Sequence, residues 1–292
     1  NGLHFGVTAS VADDKTEVTK WTYNTKIPSY GATGWWDKSA YKEGMVLGDI
    51  WGLQFDRFLT EDDFNADGSL KAGLPDQTKV FPAGYQFAPG DVLYKDLDNN
   101  GEIVKQTNTN DKGDLSVIGN ALPRLQFGLN LDAAWKGFDI SMFFQGVAKR
   151  KLWAAGNQVL PGFTTGEPFY KGAEDYWTPE NTDAFYPRPM DYKQSASGNY
   201  SVNDRYLLNM AYLRLKTFTV GYSLPKVWLS KFKVQGLRVY FTGENLFTID
   251  GVKPAIDPEI GIRTASGKSD QRNFGRSYPY QKTVSFGIQL SL

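Results

Sequence analysis

Cysteine is absent from the 292 residues, and histidine occurs once, as His4. Disulfides, thiolate metal sites and cysteine nucleophiles are therefore excluded, and neither a Ser/His triad nor a multi-histidine metal centre is expected. Net charge is missing too. The 32 basic side chains are matched by 32 acidic ones, without the basic excess of a nucleic-acid binder, so no nucleic-acid partner is expected. No apolar run approaches the roughly 20 residues of a membrane helix, and the mean hydropathy is −0.43. These absences suit a soluble protein, but they do not exclude a membrane β-barrel, whose lipid-facing side chains alternate with polar ones and give a weak signal per segment. The opening residues Asn1-Gly2-Leu3-His4-Phe5 contain neither an initiator Met nor a basic-then-apolar leader. The chain is therefore expected to be processed, or to be a piece of something longer.

What is present in quantity is aromatic side chains, 15%, and glycine, 30 residues, arranged in strict alternation. Leu3, Phe5, Val7, Ala9 and Val11 share one face of a strand, and His4, Gly6, Thr8 and Ser10 share the other. Leu125 to Trp135, Phe138 to Phe144, Leu237 to Phe247 and Val284 to Leu292 repeat the pattern. Stripes of about 10 residues suit a tilted membrane strand better than the shorter strands of a soluble sandwich. Lys136-Gly137 reads as a tight hairpin turn, whereas 59–123, 150–209 and 249–280 are long and irregular. Short turns on one side and long loops on the other describe an outer-membrane barrel. The predicted crossings are 2–12, 15–25, 44–58, 124–135, 137–149, 210–223, 234–248 and 281–292, with the loops extracellular if the last strand ends at the periplasm. Trp21, Trp135, Trp153, Tyr212, Tyr222, Trp228 and Tyr240 lie near the strand ends, as interface aromatics would.

Motif blocks then occur in a fixed order. Gly90-Asp91-Val92-Leu93-Tyr94-Lys95-Asp96 comes first, followed by Val117-Ile118-Gly119-Asn120-Ala121-Leu122-Pro123 with Lys136-Gly137-Phe138-Asp139. Tyr176-Trp177-Thr178-Pro179-Glu180-Asn181 with Tyr186-Pro187-Arg188 comes next, and then Leu213-Arg214-Leu215-Lys216 with Gly221-Tyr222-Ser223-Leu224-Pro225. Leu237-Arg238-Val239-Tyr240, Gly243-Glu244-Asn245-Leu246-Phe247, Asp257-Pro258-Glu259 and Tyr278-Pro279 complete the series. Together they resemble the C-terminal barrel portion of a SusC/RagA-type TonB-dependent outer-membrane transporter of Bacteroidetes. The resemblance implies an all-β fold: a transmembrane antiparallel β-barrel of roughly 22 strands, of which residues 1–292 supply about eight C-terminal ones. It also implies a non-enzymatic importer of glycans or peptides in the outer membrane of a Gram-negative bacterium. The implied partners are a SusD-like surface lipoprotein, the plug and other strands of the same transporter, the TonB complex reached through the missing N-terminal part, outer-membrane lipid, and a second copy in a dimer of transporter–lipoprotein pairs.

Individual residues carry further expectations. Ser285, Gly287, Leu290 and Leu292 resemble the C-terminal signal read by the barrel-assembly machinery. Arg214 and Lys216 share a strand face, and because a lipid-facing charge near the midplane costs about 2–4 kcal/mol, they are placed in the lumen, against the plug, or near an interface. Asp96, Asp98, Asn100 and Gly101 have the spacing of a calcium loop, with Ile103 as its apolar anchor, although Thr107 stands where such loops carry an acid, and Asp111 and Asp114 could serve only through an insertion. Calcium is the candidate cofactor, and a solvated Asx-rich turn is the competing reading. The run Asp63, Asn65, Asp67 and Gly68 has similar spacing. In the loops, Trp153, Phe163, Phe169, Tyr170, Tyr176, Trp177, Tyr186 and Tyr192 are candidates to face substrate or the lipoprotein, or to pack the loop on itself. Other readings remain: a self-contained small barrel acting as a porin or adhesin, and a secreted β-sandwich. Pairing of strand 2–12 with strand 281–292 separates local closure from the large transporter.

Overall fold

At Lys136-Gly137 both residues have positive φ, 50° and 90°, the geometry of a two-residue hairpin turn that matches the twist of its strands. This turn organises the centre of the main sheet. In the computed structural model, residues 2–22, 43–108, 111–154, 156, 158–162, 169–190, 198–232, 234–253, 256–259, 278 and 280–292 are described. The strands in chain order are β1 (His4–Ala12), β2 (Asp49–Gly52), β3 (Phe55–Phe58), β4 (Val92–Tyr94), β5 (Lys105–Asn108), β6 (Asp111–Gly113), β7 (Ser116–Asn120), β8 (Arg124–Trp135), β9 (Phe138–Lys149), β10 (Lys151–Leu152), β11 (Leu208–Asn209), β12 (Tyr212–Ser223), β13 (Gly236–Asp250) and β14 (Thr283–Ser291). One short helix, α1 (Lys226–Leu229), sits between β12 and β13. No described helix is long and apolar enough to cross a membrane.

Six strands form one antiparallel sheet in the order β1-β8-β9-β12-β13-β14. Its register sorts the side chains into two faces. Val7 pairs with Leu131, Leu131 with Met142, Met142 with Phe218, Phe218 with Gly243 and Gly243 with Val284, which makes one unbroken apolar row. The opposite face runs Gly6, Asp132, Ser141, Thr219, Thr242 and Ser285. Because successive side chains of a strand alternate faces, this sorting continues along the strands, with exceptions such as Phe143, which pairs with Asn130 on the polar face. The apolar face is uncovered: Phe5 is 67% exposed and Phe286 83%. A β-sandwich would bury that face under a second sheet, so the sandwich reading fails. Among the described residues β1 and β14 each have one neighbour and do not pair with each other, so the wall is not closed within this chain and the small-barrel alternative loses its support.

All the connections on one edge of the wall are short and all those on the other are long. The start of β1, the 136–137 turn, the α1 link and the end of β14 lie together, as the pairs His4–Ala134, Tyr222–Phe138 and Gly236–Ser291 require. On the other edge, 13–123, 150–211 and 251–282 connect strands. Two predicted crossings belong to these connections and not to the wall. Within 44–58, β2 pairs with β7 and β3 with β4, and described residues 15–22 form no strand, being held to 43–47 by the Glu17–Val46 bridge and the hydrogen bonds around it. Residues 23–25 of that prediction lie outside the described residues. The physical reason is partner supply. Each short apolar strand of the first connection finds a mate nearby, leaving β8 free to pair with β1.

The described residues of the long connections hold mostly turns and short strands, yet they pack. Ile50, Leu152, Leu160, Tyr206, Met210 and Ile256, drawn from all three, share one buried cluster, and Leu53, Val92, Tyr94, Ile103 and Trp177 share a second. They fold into a cap on one edge of the wall.

Candidate functional site

Alternation along β12 places Arg214 on the polar face with Tyr212, and a register shift between Leu215 and Thr217 leaves Lys216 as the extra residue of a bulge. Across it, β13 carries its own irregularity at Asn245, whose φ of 52° is left-handed. Both cations converge on the segment Asp257-Pro258-Glu259. Arg214 Nη2 lies 2.9 Å from Asp257 Oδ1, Arg214 Nη1 2.9 Å from Glu259 Oε1, and Lys216 Nζ 2.8 Å from Glu259 Oε2. Arg214 Nε donates to Thr248 Oγ1 at 2.8 Å, and the Tyr280 ring lies 5.1 Å from the guanidinium and 4.7 Å from the ammonium. The node is charge-balanced and almost dry, with the Arg214 side chain 4% exposed. Two motif blocks far apart in sequence thus meet on the polar face. The sequence reading named the cations and left Asp257 and Glu259 without a role; the equal number of opposite charges in the two blocks was the available signal.

A second node lies inside the cap. Asp91 is fully buried and accepts from Arg188 Nε at 2.8 Å, Tyr85 Oη at 2.8 Å, Asn199 Nδ2 at 2.9 Å and the Ala88 amide at 2.9 Å. Burial, and then the charge of Asp91 beside it, raise the Tyr85 phenol above its ordinary value, so it stays a proton donor to the carboxylate. Next to Asp91, Gly90 has φ of 89°, and a Cβ there would meet the Trp177 ring at 2.5 Å. The Arg188 amide donates to Gly90 O at 3.0 Å. The Gly90-Asp91, Trp177 and Arg188 motifs are therefore one packing unit.

A third pair spans the short-turn end of the polar face. Arg238 Nε donates to Asp139 Oδ1 at 3.0 Å across β12. The guanidinium passes over Gly221, where a Cβ would meet Arg238 Nη2 at 2.5 Å. The same device recurs at the sheet edge. Ser285 and Gly287 lie on the polar face of β14, with Ser285 opposite Thr242 and Gly287 opposite Tyr240, and the Tyr240 ring fills the space a Gly287 Cβ would take. Leu290 points to the apolar face opposite Leu237, and Leu292 follows the strand, exposed. Gly287→Val is expected to displace Tyr240 and reduce the amount of assembled, heat-resistant protein in membrane fractions several-fold. Tyr240→Ala in the same chain should restore part of it, whereas unchanged assembly in the single variant would remove this role for the glycine.

Asp96, Asp98 and Asp114 bring carboxylate oxygens within 4.8 Å of one another. Asp114, which the sequence offered only through an insertion, is brought in by the fold. Its oxygens accept from the Leu97 and Val104 amides, both at 2.7 Å, while Asp96 accepts from the Gly101 amide at 2.8 Å and Asn100 Oδ1 from the Glu102 amide at 2.8 Å. Desolvation, followed by the nearby Asp114 and Asp96 charges, raises Asp98 above its ordinary value. Such a set of hard oxygen donors fits a calcium-type ion in chemistry, but several of the donors are already engaged in the loop's own turns. The run at Asp63 is different. Asp63 turns to Arg57 Nη1 and Nη2 at 2.6 and 2.7 Å, its carboxyl is held down at about 2 chiefly by that hydrogen bond, and Asp67 caps Ser69 at 3.0 Å. Both acids are thus engaged by neighbouring groups.

The aromatics divide. Trp153, Trp177 and Tyr186 are buried in the cap cores and pack the loop on itself. Burial, then Asp175, pushes the Tyr186 phenol up to about 12, and its hydroxyl donates to Val159 O at 2.8 Å. Phe169, Tyr170 and Tyr176 remain exposed and, with Lys171, rim a cavity of about 400 Å³ whose wall includes Tyr200. Phe163 and Tyr192 lie outside the described residues. Of the predicted interface aromatics, Trp135, Tyr222 and Trp228 lie at the short-turn end. Trp153 belongs to the cap, Tyr212 and Tyr240 to the polar face, and Trp21 to the segment after β1.

No family model matches the chain. It is 29% identical over 258 residues to TonB-dependent receptor P3 of Formosa agariphila, covering 85% of this chain and 22% of that protein. It is 32% identical over 200 residues to TonB-dependent receptor P26 of the same organism, covering 66% and 19%, and 25% identical over 242 residues to TonB-dependent receptor SusC of Bacteroides thetaiotaomicron, covering 80% and 22%. The chain thus spans about a fifth of the length of these relatives. Its fold is similar to that of the RagAB peptide transporter, with a TM-score of 0.63 at 18% identity, covering 99% of this chain and 27% of that one.

Proposed function

We infer that this chain, whose motifs, relatives and fold are those of the SusC/RagA-type TonB-dependent transporters, is a C-terminal wall-and-loop segment of an outer-membrane importer of glycans or peptides. It is read, with its relatives, as a transporter and not an enzyme. One observation carries this reading: an open six-stranded wall that is apolar and uncovered on one face, polar on the other, and bears all its long connections at one edge. Unpaired edges on β1 and β14 call for further strands, which the rest of the same transporter would supply along with the plug. The polar face would line the lumen, and the cap would face outward, beneath a SusD-like lipoprotein. The exposed Phe169, Tyr170 and Tyr176 are the aromatics left to meet substrate or that lipoprotein.

The orientation is tested by labelling. In cells producing the complete transporter, Asp183→Cys in the cap should react with a membrane-impermeant maleimide while cells are intact, and Lys136→Cys in the tight turn only after permeabilisation. The absence of native cysteine from this segment keeps its background at zero. Equal labelling of both, or the reverse order, would overturn the reading.

The Asp96-Asp98-Asp114 cluster supports a second, smaller proposal, a weak calcium site. Without the usual bidentate acid, half-saturation is expected in the range of about 0.1–1 mM. Calcium should raise the thermal midpoint of the complete transporter, chelation should reverse the rise, and Asp98→Asn should abolish the response. A midpoint indifferent to calcium would leave only the Asx-rich turn.

A further inference from the structure

The short-turn edge carries a feature that neither the wall nor the cap uses. After Leu224-Pro225 the chain forms α1 and a following 3₁₀ turn, Ser230–Phe232. Leu229 is turned inward, whereas Val227 is 77% exposed and Trp228 61%. Lys226 and Lys231 flank these two apolar side chains on either side, and no described acidic side chain is paired with either lysine. The helix enters through Leu224, whose amide donates to Leu237 O at 2.9 Å, and Leu237 belongs to the apolar face of the wall. At the same edge Trp135 and Phe138 are half exposed, Tyr222 packs on Phe138 with ring centroids 4.5 Å apart, and Lys136 Nζ lies 4.5 Å over the Trp135 ring. Exposed Trp and Val between lysines, continuous with an uncovered apolar face, do not suit bulk water. They suit the boundary where acyl chains meet headgroups, with indole rings at the boundary and ammonium groups reaching phosphate.

We propose that α1 and the 136–137 turn form a headgroup site for anionic phospholipid of the leaflet on the short-turn side, with Trp228 and Val227 seated among the upper acyl carbons and Lys226, Lys231 and Lys136 on the phosphate. The lysines set the preference for anionic over zwitterionic lipid, since basic residues next to a leaflet of negative charge are drawn to it. The proposal rests on the membrane-wall reading above, and its test separates the two.

The complete transporter is reconstituted into phosphatidylethanolamine vesicles with and without phosphatidylglycerol, carrying a spin label at Phe286→Cys or at Trp228→Cys. A lipid-buried label at 286 with a headgroup-depth label at 228 is the expected result. An aqueous label at 286 would defeat the wall reading itself. A lipid-buried 286 with a fully aqueous 228 would leave the wall standing and overturn only the headgroup site. Phosphatidylglycerol is further expected to raise the thermal midpoint of the parent protein, and Lys226→Gln/Lys231→Gln should lose most of that rise while Lys171→Gln in the cap keeps it. An undiminished rise in the double variant would also overturn the proposal.

Discussion

Asp91→Ala should loosen the cap by about 3–5 kcal/mol, the usual cost of leaving a buried ion pair half made. The carboxylate is fully buried and is the common acceptor for Arg188, Tyr85 and Asn199. Removing it leaves a guanidinium, a phenol and an amide without the charged acceptor they share. Asparagine is no remedy, since its amide would set a donor against donors. The damage spreads because Gly90 and Trp177 are wedged beside the node and Trp177 is part of the second cap core. The measurement is limited proteolysis of the complete transporter, where cleavage tracks the open population. Cap cleavage should rise roughly 100-fold or more, since each 1.4 kcal/mol is worth about tenfold, while the exposed Asp183→Ala should match the parent. Equal cleavage of Asp91→Ala and parent would mean that the cap does not depend on this node.

Arg214→Ala is expected to have a comparable local effect at the wall, again about 3–5 kcal/mol. Asp257 and Glu259 would stay close to a nearly dry surface with Lys216 as their sole cation. The segment 256–259 should then leave the polar face. Hydrogen exchange reads this directly, because the Glu259 amide donates to Asp257 Oδ1 at 2.9 Å and should exchange far faster in the variant. Lys216→Ala should do much less, about 1 kcal/mol, since that side chain is 20% exposed and water can replace it. A larger effect from Lys216 than from Arg214 would reverse the assigned order. A double change of Arg214 and Asp257 to apolar residues of similar size should cost less than Arg214→Ala alone, because no uncompensated charge remains.

The strands of the wall were legible to within a few residues: 124–135 in the sequence is β8 from Arg124 to Trp135, and 210–223 contains β12 from Tyr212 to Ser223. In a strand with one uncovered apolar face a one-residue shift would exchange its faces, so the pattern is kept on either side of the bulge at Lys216. Residues 44–58 also carry apolar positions, but their mates β7 and β4 are equally short and lie in the same connection. Nothing local distinguishes a cap strand from a wall strand. Similarly, Trp153 and Phe169 are both loop aromatics, yet one is buried and the other exposed, because burial depends on which segments meet and not on the residue.

The sequence by itself determined the all-β class, the two faces of the wall, the tight turn at Lys136-Gly137, and the alternation of short and long connections. Each of these follows from period-two patterning or from a residue's own backbone preference, and both are local. Only the tertiary structure decided that the long connections fold together as a cap, that β1 pairs with β8, that Asp114 joins Asp96 and Asp98, and that the motifs meet as Asp91 with Arg188, Arg214 with Asp257 and Glu259, and Asp139 with Arg238. Those partners are distant in the chain, and a charge or a carboxylate in a sequence does not specify which distant group will satisfy it. Packing and the demand that every buried charge be matched make that choice.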